Sequence, residues 1–234
     1  MKAVLLGAGR GTRLAPTTGD IPKILAPLAG EPLLAHQLRY LARAGVDEVM
    51  LNVHHRAEQV LAFLDEFDAP LDVLVSREEE LLGTAGALLP MRHFLDQPFV
   101  LQYGDVVTNV DLQALLDSHR DLGGLATLAY YDTDETREKG LLELDADGRV
   151  VGFVEKPEHD VPGGHVNAGI HALDPGILEF VPPLGDFGFD VWPRVAAAGR
   201  PIYGHRVDAY VCDVGSGETL LRVENDLVHG ALAW

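Results

Sequence analysis

The sequence predicts an α/β protein whose central sheet is parallel in its first half and mixed in its second. Short apolar runs alternate with amphipathic segments as far as residue 131, which is typical of repeated βαβ units. After residue 140 the strands follow one another closely, in a hairpin pattern. The 234 residues, 47% hydrophobic and 23% charged, suffice for one globular domain, so we expect residues 1–234 to form a single domain.

In the first half, strands and helices alternate. The expected strands are short apolar runs, namely Lys2–Leu6, Glu48–Val53, Leu71–Val75, Phe99–Tyr103 and Leu125–Tyr131. The expected helices carry apolar residues three or four positions apart, and are Pro32–Ala44, Arg56–Glu66, Thr84–Leu95 and Asp111–Leu122. Gly45 ends the first helix, and Asp111 is placed as the N-cap of the fourth.

In the second half, the pattern changes to paired strands. Leu141–Leu144 and Val150–Val154 flank an Asp-Gly turn and predict an antiparallel hairpin. The other expected elements are a strand at Val166–Leu173, a helix at Phe189–Ala198, an extended stretch at Ile202–Val214 and a helix at Glu218–Val228. Phe189 and Trp192 are expected in the core.

Charge and cysteine content exclude several classes of protein. Eighteen Lys and Arg against 36 Asp and Glu give a net charge of −18, which argues against a nucleic-acid or anionic-membrane partner. Cys212 is the one cysteine, so disulfide frameworks and multi-cysteine metal sites are excluded, and we expect it to be a small buried residue. The sequence has no signal-peptide core and no apolar run of about 18 residues, so we expect a cytoplasmic protein.

The N-terminal strand runs into a glycine-rich segment, LLGAGRGTR at residues 5–13. Glycines after a strand let backbone N–H groups approach a phosphate closely. The dinucleotide fingerprint is excluded because its third glycine would fall one residue later and four prolines punctuate the next twenty residues; the P-loop triplet is absent. Arg10, Arg13 and Lys23 oppose a single acid, Asp20, between residues 7 and 23, so this loop is locally positive in an acidic chain and suits an anionic substrate.

Two aspartates follow apolar strands. Asp105 comes after FVLQY and Gly104, and Asp213 comes after Tyr210–Cys212. Ligands of open α/β sheets collect where strands end, and two carboxylates there can hold Mg²⁺ together with phosphate oxygens and water. The alternative is that each aspartate only caps a turn. The adjacent His54 and His55 are expected to point to opposite faces of a strand, which argues against a shared metal.

Residues 7–18 (GAGRGTRLAPTT) and 21–34 (IPKILAPLAGEPLL) closely resemble the signature of the sugar-1-phosphate nucleotidylyltransferases. Five further segments resemble this family in the same order: LGTAGA at 82–87, YGD at 103–105, FVEKP at 153–157, VNAGI at 166–170 and VCDVG at 211–215. Within the family the chain looks most similar to short mannose- or heptose-1-phosphate guanylyltransferases. The resemblance implies a Rossmann-like nucleotidyltransferase (GT-A-like) fold, with a mixed central sheet flanked by helices.

The resemblance also implies a reaction: a sugar-1-phosphate oxygen attacks the α-phosphorus of a nucleoside triphosphate (NTP) and pyrophosphate leaves. It assigns catalysis to Arg13, Lys23, Asp105 and Asp213, the two aspartates being the Mg²⁺ ligands. It assigns the nucleotide to residues of four segments, namely Leu6, Gly7, Ala8, Gly9, Gly11, Thr12, Glu78, Glu80, Gly83, Thr84 and Gly104. It assigns the sugar phosphate to Gly140, Glu155, Lys156 and Asn167.

By the same resemblance, the nucleotide-binding part comprises about residues 1–110, and the sugar-phosphate-binding part comprises about residues 111–234. Short relatives often form dimers, so a homodimer is a possible assembly. The left-handed β-helix that many relatives append is not expected here, since the sequence ends at residue 234.

The acidic run Glu78–Glu80 bears on the choice of base. A carboxylate only accepts hydrogen bonds, and guanine offers two adjacent donors where uracil and thymine offer one, so GTP is favoured. The alternatives are a uridylyl- or thymidylyltransferase acting on glucose-1-phosphate or an amino sugar phosphate, a cytidylyltransferase, a catalytically silent nucleotide-sugar-binding subunit, and a metal-dependent glycosyltransferase. The last would need a D-x-D motif, where the sequence has GDVV at 104–107.

Overall fold

The computed structural model describes residues 1–9, 11, 14 and 19–232. Its strands are β1 Lys2–Leu6, β2 Pro27–Leu28, β3 Glu31–Pro32, β4 Glu48–Val53, β5 Asp72–Arg77, β6 Phe99–Tyr103, β7 Val106–Thr108, β8 Ala126–Thr133, β9 Gly140–Leu144, β10 Val150–Glu155, β11 Gly164–Leu173, β12 Ile202–Arg206 and β13 Val211–Asp213. Its α-helices are α1 Leu33–Arg43, α2 Ala57–Glu66, α3 Gly83–Gly86, α4 Leu112–Leu122, α5 Trp192–Ala197 and α6 Gly217–Val228. Short 3₁₀ turns lie at Lys23–Leu25 and Pro175–Phe180. None of the helices in these ranges has the length and apolar character needed to cross a bilayer.

The described residues form two compact units. The first contains residues from 1–81, 102–111 and 209 onward, and the second contains 82–101 and 112–208. Parallel pairing in the first and antiparallel pairing in the second confirm the predicted α/β class with a mixed sheet.

In the first unit, the sheet order is β1-β4-β5, and Gln102 and Tyr103 at the end of β6 belong to the same unit. β1 and β4 are parallel, with Val4 beside Met50, and β4 and β5 are parallel, with Met50 beside Leu74. The central strands are buried on both faces, as their continuous apolar runs predict. This arrangement brings the chain segments that follow β1, β4 and β6 to the same end of the sheet.

Helix α1 covers part of this unit. Pro32 precedes it, and Gly45, at φ +84°, lies just beyond its end. Its inward face carries Leu34, Leu38 and Leu41 at helical spacing, all fully buried. Gln37 lies in the same buried face and is also fully buried, which is unusual for an amide side chain.

A separate apolar cluster lies beneath β7 and β13, which pair antiparallel. Its buried members come from five segments of the first unit, namely Leu14, Ala26, Leu28, Leu33, Val107, Cys212, Val214, Leu220, Val223 and Leu232. Helix α6 begins with a capping box between Ser216 and Thr219. Cys212 is 3% exposed, so the prediction of a small buried residue is confirmed.

In the second unit, β9 lies between β10 and β11, and β8 lies between β11 and β12. The β9–β10 pair is the predicted hairpin, with Leu141 opposite Val154. Helix α4, which confirms the helix predicted at Asp111–Leu122, packs on β8, and its residues Leu112, Leu115 and Leu116 are buried.

Two predicted helices are shorter than expected, and the one predicted at Phe189–Ala198 is α5, Trp192–Ala197. The helix predicted at Thr84–Leu95 extends only over α3, Gly83–Gly86, and successive three-residue turns follow as far as residue 94. Pro90 has no N–H to continue an α-helical ladder, which explains the change.

The prediction for Phe189 was wrong, whereas that for Trp192 is confirmed. Trp192 is 1% exposed, but Phe189 is 62% exposed. Residues Phe187–Val191 form a π-helical turn, which places residues five apart on one side. Phe187 and Trp192 therefore stack on each other at 4.8 Å between ring centroids, and Phe187 occupies the core instead of Phe189.

Candidate active site

Three charged side chains meet in the first unit. The ammonium nitrogen of Lys23 lies 2.5 Å from Oδ2 of Asp105 and 3.6 Å from Oδ1 of Asp213. The Lys23 side chain is only 12% exposed, whereas that of Asp213 is 59% exposed. One cation thus joins the two carboxylates predicted as metal ligands, at a place that remains open to solvent on the Asp213 side.

Backbone pairing fixes the two aspartates relative to each other. Asp105 occupies the turn between β6 and β7, and Asp213 is the last residue of β13. Asp213 pairs with Val106 across the β7–β13 ladder, and the N–H of Val214 donates to the carbonyl of Asp105 at 2.8 Å. The separation of the two carboxylates is therefore set by sheet hydrogen bonds and not by flexible loops.

Gly104 permits the tight turn that carries Asp105. A Cβ at this position would lie 2.6 Å from the carbonyl oxygen of Leu6 and 3.0 Å from the side chain of Ile24. The N–H of Gly104 donates to that same Leu6 carbonyl at 2.9 Å. Only a glycine allows β1 and the turn to approach so closely.

The two carboxylates suit a divalent cation that also takes ligands from phosphate. Because one nitrogen atom reaches both, the two oxygens are separated by no more than the sum of 2.5 and 3.6 Å. Carboxylate oxygens are ligands that Mg²⁺ prefers in proteins, so this pair would hold an ion once the two side chains turn toward it. In the described part of the chain no three His, Cys, Asp or Glu side chains gather to hold a metal, so further ligands would be phosphate oxygens and water.

Gly11, in the glycine-rich segment, lies against Lys23. A Cβ at Gly11 would meet Cβ of Lys23 at 2.9 Å, and its φ of +61° favours glycine. Gly9 is exposed, and a Cβ there would meet no described atom within 4 Å. Gly9 is thus free of packing demands from the described residues, which suits a backbone that a ligand approaches. Ala8 is 6% exposed, and Leu6 is half-buried.

Asn52 and Glu78 hold the start of this segment. The N–H of Gly7 donates to Oδ1 of Asn52 at 2.7 Å, and Nδ2 of Asn52 donates to Oε1 of Glu78 at 2.6 Å. Glu78 is 6% exposed, while Glu80 is exposed. The carboxylate predicted to read the base therefore also orients the amide that fixes Gly7.

A cavity of about 560 Å³ lies beside Glu78 and is lined by His54, Arg77, Glu78 and Glu79. Its size suits a small-molecule group such as a base. The expectation that His54 and His55 lie on a strand was wrong, because β4 ends at Val53. Their ring nitrogens nevertheless take separate partners, the Glu78 carbonyl at 3.0 Å for His54 and Asp20 at 3.2 Å for His55.

In the second unit, Gly83 and Thr84 are attached to the segment that precedes the π-helical turn. Both the N–H and the hydroxyl of Thr84 donate to Oδ1 of Asp186, at 2.9 and 3.0 Å. The N–H of Phe187 donates back to the Thr84 hydroxyl at 3.0 Å. Gly83 has φ +80°, and a Cβ there would lie 2.3 Å from the carbonyl of Gly185. Gly83 can only be glycine in this conformation.

Glu155 ends β10 between two glycines. A Cβ at Gly188 would lie 2.3 Å from Oε2 of Glu155, and a Cβ at Gly140 would lie 3.0 Å from the same atom. Burial raises the pKa of the Glu155 carboxyl, Lys156 acts in the opposite direction, and Asp186 adds a smaller upward effect. Lys156 follows with φ +51° and is exposed, so β10 ends there.

Asn167 lies at an irregularity of β11, in the same unit. Its Oδ1 accepts the N–H of Gly169 at 3.0 Å, and the β11–β8 register shifts after this residue. Gly169 has φ +71°, which a glycine adopts readily. The NAG sequence therefore corresponds to a local bend in the strand.

Three residues of the predicted site, Arg10, Thr12 and Arg13, lie outside the described residues. Sequence reasoning missed the buried amides Gln37, Asn52 and Gln102, and the acid Asp186. The signal for the amides was present, since each is a lone polar residue within an apolar run or helix face.

Comparison with known proteins identifies the family. The chain matches the family model described as Nucleotidyl transferase over residues 2–230. It is 36% identical over 224 residues to mannose-1-phosphate guanylyltransferase 1 of Arabidopsis thaliana, covering 92% of this chain and 61% of that protein. It is 30% identical over 233 residues to UTP–glucose-1-phosphate uridylyltransferase of Synechocystis, covering 92% and 60%. The chain thus spans about three-fifths of the length of these relatives.

A solved structure agrees with this result. The crystal structure of HddC from Yersinia pseudotuberculosis complexed with GMP-PN superposes with a TM-score of 0.84 at 26% identity, covering 97% of this chain and 99% of that one. The predicted nucleotidyltransferase fold is therefore confirmed. Fold, sequence match and the glycine-rich, two-aspartate geometry agree, and the chain belongs to the nucleotidyl transferase family.

Proposed function

We propose that this protein is a sugar-1-phosphate nucleotidylyltransferase, which converts an NTP and a sugar-1-phosphate into a nucleotide sugar and pyrophosphate. The observation that carries the proposal is the position of Lys23 between Asp105 and Asp213. A cation and two metal-binding acids at one point form a site for phosphoryl chemistry, because the cation and a metal ion held by the acids would neutralise negative charge on the transferring phosphate. A nucleotide-sugar-binding subunit without activity would not need this arrangement.

In the proposed reaction, an oxygen of the sugar phosphate forms a bond to the α-phosphorus while the bond from that phosphorus to the β-phosphate oxygen breaks. The pyrophosphate leaves with that electron pair. Asp105 and Asp213 would hold Mg²⁺, which supplies charge neutralisation to the phosphate oxygens when bound. Lys23 donates to an α-phosphate oxygen as negative charge develops there. Arg13 is the second proposed cation, by its place in the family signature.

The binding roles are proposed from the two units separately. In the first unit, Gly9 and Gly11 present backbone N–H groups to the triphosphate, next to Lys23. Gly7, whose own N–H donates to Asn52, is proposed to let the backbone lie close to the nucleotide. Leu6, Ala8, Thr12, Gly104, Glu78 and Glu80 are proposed to complete the nucleotide site. In the second unit, Gly83 and Thr84 contact the base. Glu155 accepts hydrogen bonds from sugar hydroxyls, and Lys156 pairs with the phosphate of the sugar phosphate. Gly140 and Asn167 complete the sugar-phosphate pocket.

GTP is the proposed nucleotide. Glu78 lines the cavity of the first unit with an acceptor-only carboxylate, and guanine offers the adjacent donors that such a group can bind. The similarity to a mannose-1-phosphate guanylyltransferase and to a structure with bound GMP-PN supports the same choice. The similarity to a uridylyltransferase keeps UTP as the second candidate.

The remaining proposals concern organisation. We propose that residues 1–234 act as one catalytic domain, with the nucleotide bound mainly by residues 1–110 and the sugar phosphate mainly by 111–234. A homodimer in the cytoplasm is the proposed assembly and location.

The deciding experiment is a matrix of GTP, UTP, dTTP, CTP and ATP against a panel of sugar-1-phosphates, read as pyrophosphate release in the presence of Mg²⁺. We expect release with GTP and mannose- or heptose-1-phosphate at a rate far above that with UTP or dTTP. Faster turnover with UTP or dTTP would replace the guanylyl assignment. No pyrophosphate with any pair, despite nucleotide-sugar binding, would favour the silent subunit, and sugar transfer from a nucleotide sugar would favour a glycosyltransferase.

A further inference from the structure

Two glutamines are buried directly behind the turn that carries Asp105. Gln37, from α1, and Gln102, from β6, are both fully buried. Nε2 of Gln37 donates to the carbonyl of Gly104 at 3.2 Å and to that of Val106 at 2.7 Å. These two carbonyls flank Asp105, so one amide group is attached to the backbone on both sides of the proposed metal ligand.

Gln102 fixes the orientation of Gln37. Its Nε2 donates to Oε1 of Gln37 at 2.6 Å and to the Val106 carbonyl at 3.3 Å. With its oxygen held by Gln102, the Gln37 amide must direct its nitrogen toward Gly104 and Val106. Rotating either amide by half a turn would place oxygen against oxygen, so the orientations of the two side chains depend on each other.

This pair is not the arrangement that stability alone would favour. Oε1 of Gln102 is buried and has no hydrogen-bond partner within the described residues. A buried polar atom without a partner is unfavourable, and the neighbouring helix face of Leu34, Leu38 and Leu41 is apolar and could have continued across this position. Retaining two amides here has a structural consequence, which is the fixed geometry of the Gly104–Val106 turn.

We propose that Gln37 and Gln102 are positioning residues for the metal site, an inference that builds on the proposed function. They hold the Asp105 turn from behind while the β7–β13 ladder holds it from the side of Asp213. Neither glutamine touches the substrate or the metal. Their effect is to keep the Asp105 carboxylate within reach of an ion shared with Asp213, so that little reorganisation is needed when the metal binds.

The test compares Gln37→Leu with Tyr40→Phe as a matched control. Tyr40 lies on the same helix, is 6% exposed, and its hydroxyl donates to the carbonyl of Val110 at 2.7 Å. Both variants thus remove buried hydrogen bonds from α1 to backbone carbonyls, but only Gln37 bonds the residues next to Asp105. Gln102→Met is the milder second variant, because it removes the group that orients Gln37 but keeps the Gln37 amide itself.

The readout is Mn²⁺ binding measured by electron paramagnetic resonance in the presence of a non-hydrolysable GTP analogue, alongside thermal unfolding. We expect the Mn²⁺ dissociation constant to rise about tenfold in Gln37→Leu, by a smaller factor in Gln102→Met, and less than twofold in Tyr40→Phe. At saturating metal, the KM for NTP should change little in all three.

Three results would overturn the proposal. Equal Mn²⁺ affinity in Gln37→Leu and the unaltered chain, or equal loss in Gln37→Leu and Tyr40→Phe, would remove the positioning role and leave the proposed function standing. If the unaltered chain binds no Mn²⁺, the metal site itself is wrong and both proposals fail. Should Gln37→Leu not fold, Gln102→Met against Tyr40→Phe makes the same distinction.

Discussion

The ammonium nitrogen of Lys23 lies 2.5 Å from Oδ2 of Asp105, closer than to any other acid in the described part of the chain. This pair joins the signature segment at residues 21–34 to the aspartate just after the end of β6, 82 residues apart in sequence. The Lys23 ammonium group therefore lies beside the carboxylates that would also bind a metal ion. It follows that Lys23 both competes with the metal for Asp105 and keeps the two carboxylates together before the metal arrives.

We therefore predict opposite effects of Lys23→Met on metal binding and on turnover. Without the lysine, Asp105 and Asp213 repel each other, so added Mg²⁺ should raise the melting temperature of the variant by more than that of the unaltered chain. Turnover at saturating Mg²⁺ should still fall about 10²- to 10³-fold, because charge on the transferring phosphate loses its donor. Differential scanning fluorimetry with and without Mg²⁺, together with pyrophosphate release, measures both.

Arg120→Met is the matched control for that variant. Arg120 forms an exposed ion pair with Asp117 at 2.7 Å, far from the signature segments in sequence. It should change neither the Mg²⁺ response nor turnover, since exposed pairs contribute little. An identical Mg²⁺ response in Lys23→Met and the unaltered chain would contradict the competition argument.

Gly104 and Gly9 should respond differently to alanine. A Cβ at Gly104 would overlap the Leu6 carbonyl, so Gly104→Ala should displace the Asp105 turn and lower the free energy of unfolding by about 1–3 kcal/mol. Gly9→Ala meets no described atom, so its stability should be retained while the affinity for triphosphate falls. Urea unfolding and nucleotide titration separate the two effects. Equal loss of stability in both variants would contradict this prediction, because it would mean that a Cβ at Gly9 also meets neighbouring atoms.

The fold could be predicted where local patterns decide it. β1, β4 and β6 have the predicted bounds, because continuous apolar runs next to glycine or polar residues define a buried strand. The π-helical turn at Phe187–Val191 could not be predicted, since its extra residue depends on how Phe187 and Trp192 pack together. The same packing leaves Phe189 at the surface.

The site shows the same division. Strand ends indicated Asp105 and Asp213, and the locally positive loop indicated Lys23, because the chemistry of each residue is visible in the sequence by itself. The hydrogen bond between Asn52 and Glu78 joins residues from two strand ends, and no spacing rule in the sequence predicts such a partner. Residues that position the functional side chains are thus harder to predict than the functional side chains themselves, since their role depends on contacts between distant segments.

Glu78 gives a test of base selection that separates chemistry from folding. In Glu78→Gln, the amide oxygen can still accept from Asn52, so the Gly7 contact should remain and the melting temperature should change little. The carboxylate, however, becomes an amide that can also donate. We predict that the ratio of kcat/KM for GTP to that for UTP falls about tenfold, a change equivalent to about 1.4 kcal/mol.

The control for Glu78 is Asn52→Leu, which removes the partner itself. It should lower stability and turnover with GTP and UTP alike, because the Gly7 N–H loses its acceptor. An unchanged GTP-to-UTP ratio in Glu78→Gln would mean that Glu78 acts only as support for Asn52 and that another group reads the base.

The second unit should lose stability in mild acid because of His171. This ring is fully buried, 5.9 Å from the ring centroid of Phe187 and 5.3 Å from that of Trp192. Burial lowers its pKa from 6.5 to about 3. Because the unfolded chain binds the proton more tightly, stability is fully present above pH 6.5 and falls as the pH drops through the interval between these two values.

In that interval His171 contributes a slope of up to about 1.4 kcal/mol per pH unit. Burial also lowers the pKa of His119, which adds in the same direction, whereas the raised pKa of Glu155 acts oppositely. Replacing His171 with Phe removes the titrating ring and keeps an aromatic group between Phe187 and Trp192. Urea unfolding followed by tryptophan fluorescence at pH 7.5, 6.0 and 5.0 should therefore show a shallower decline in His171→Phe than in the unaltered chain. Parallel declines would mean that His171 gains access to solvent or to a proton acceptor in the folded state, so that its burial does not control the acid response.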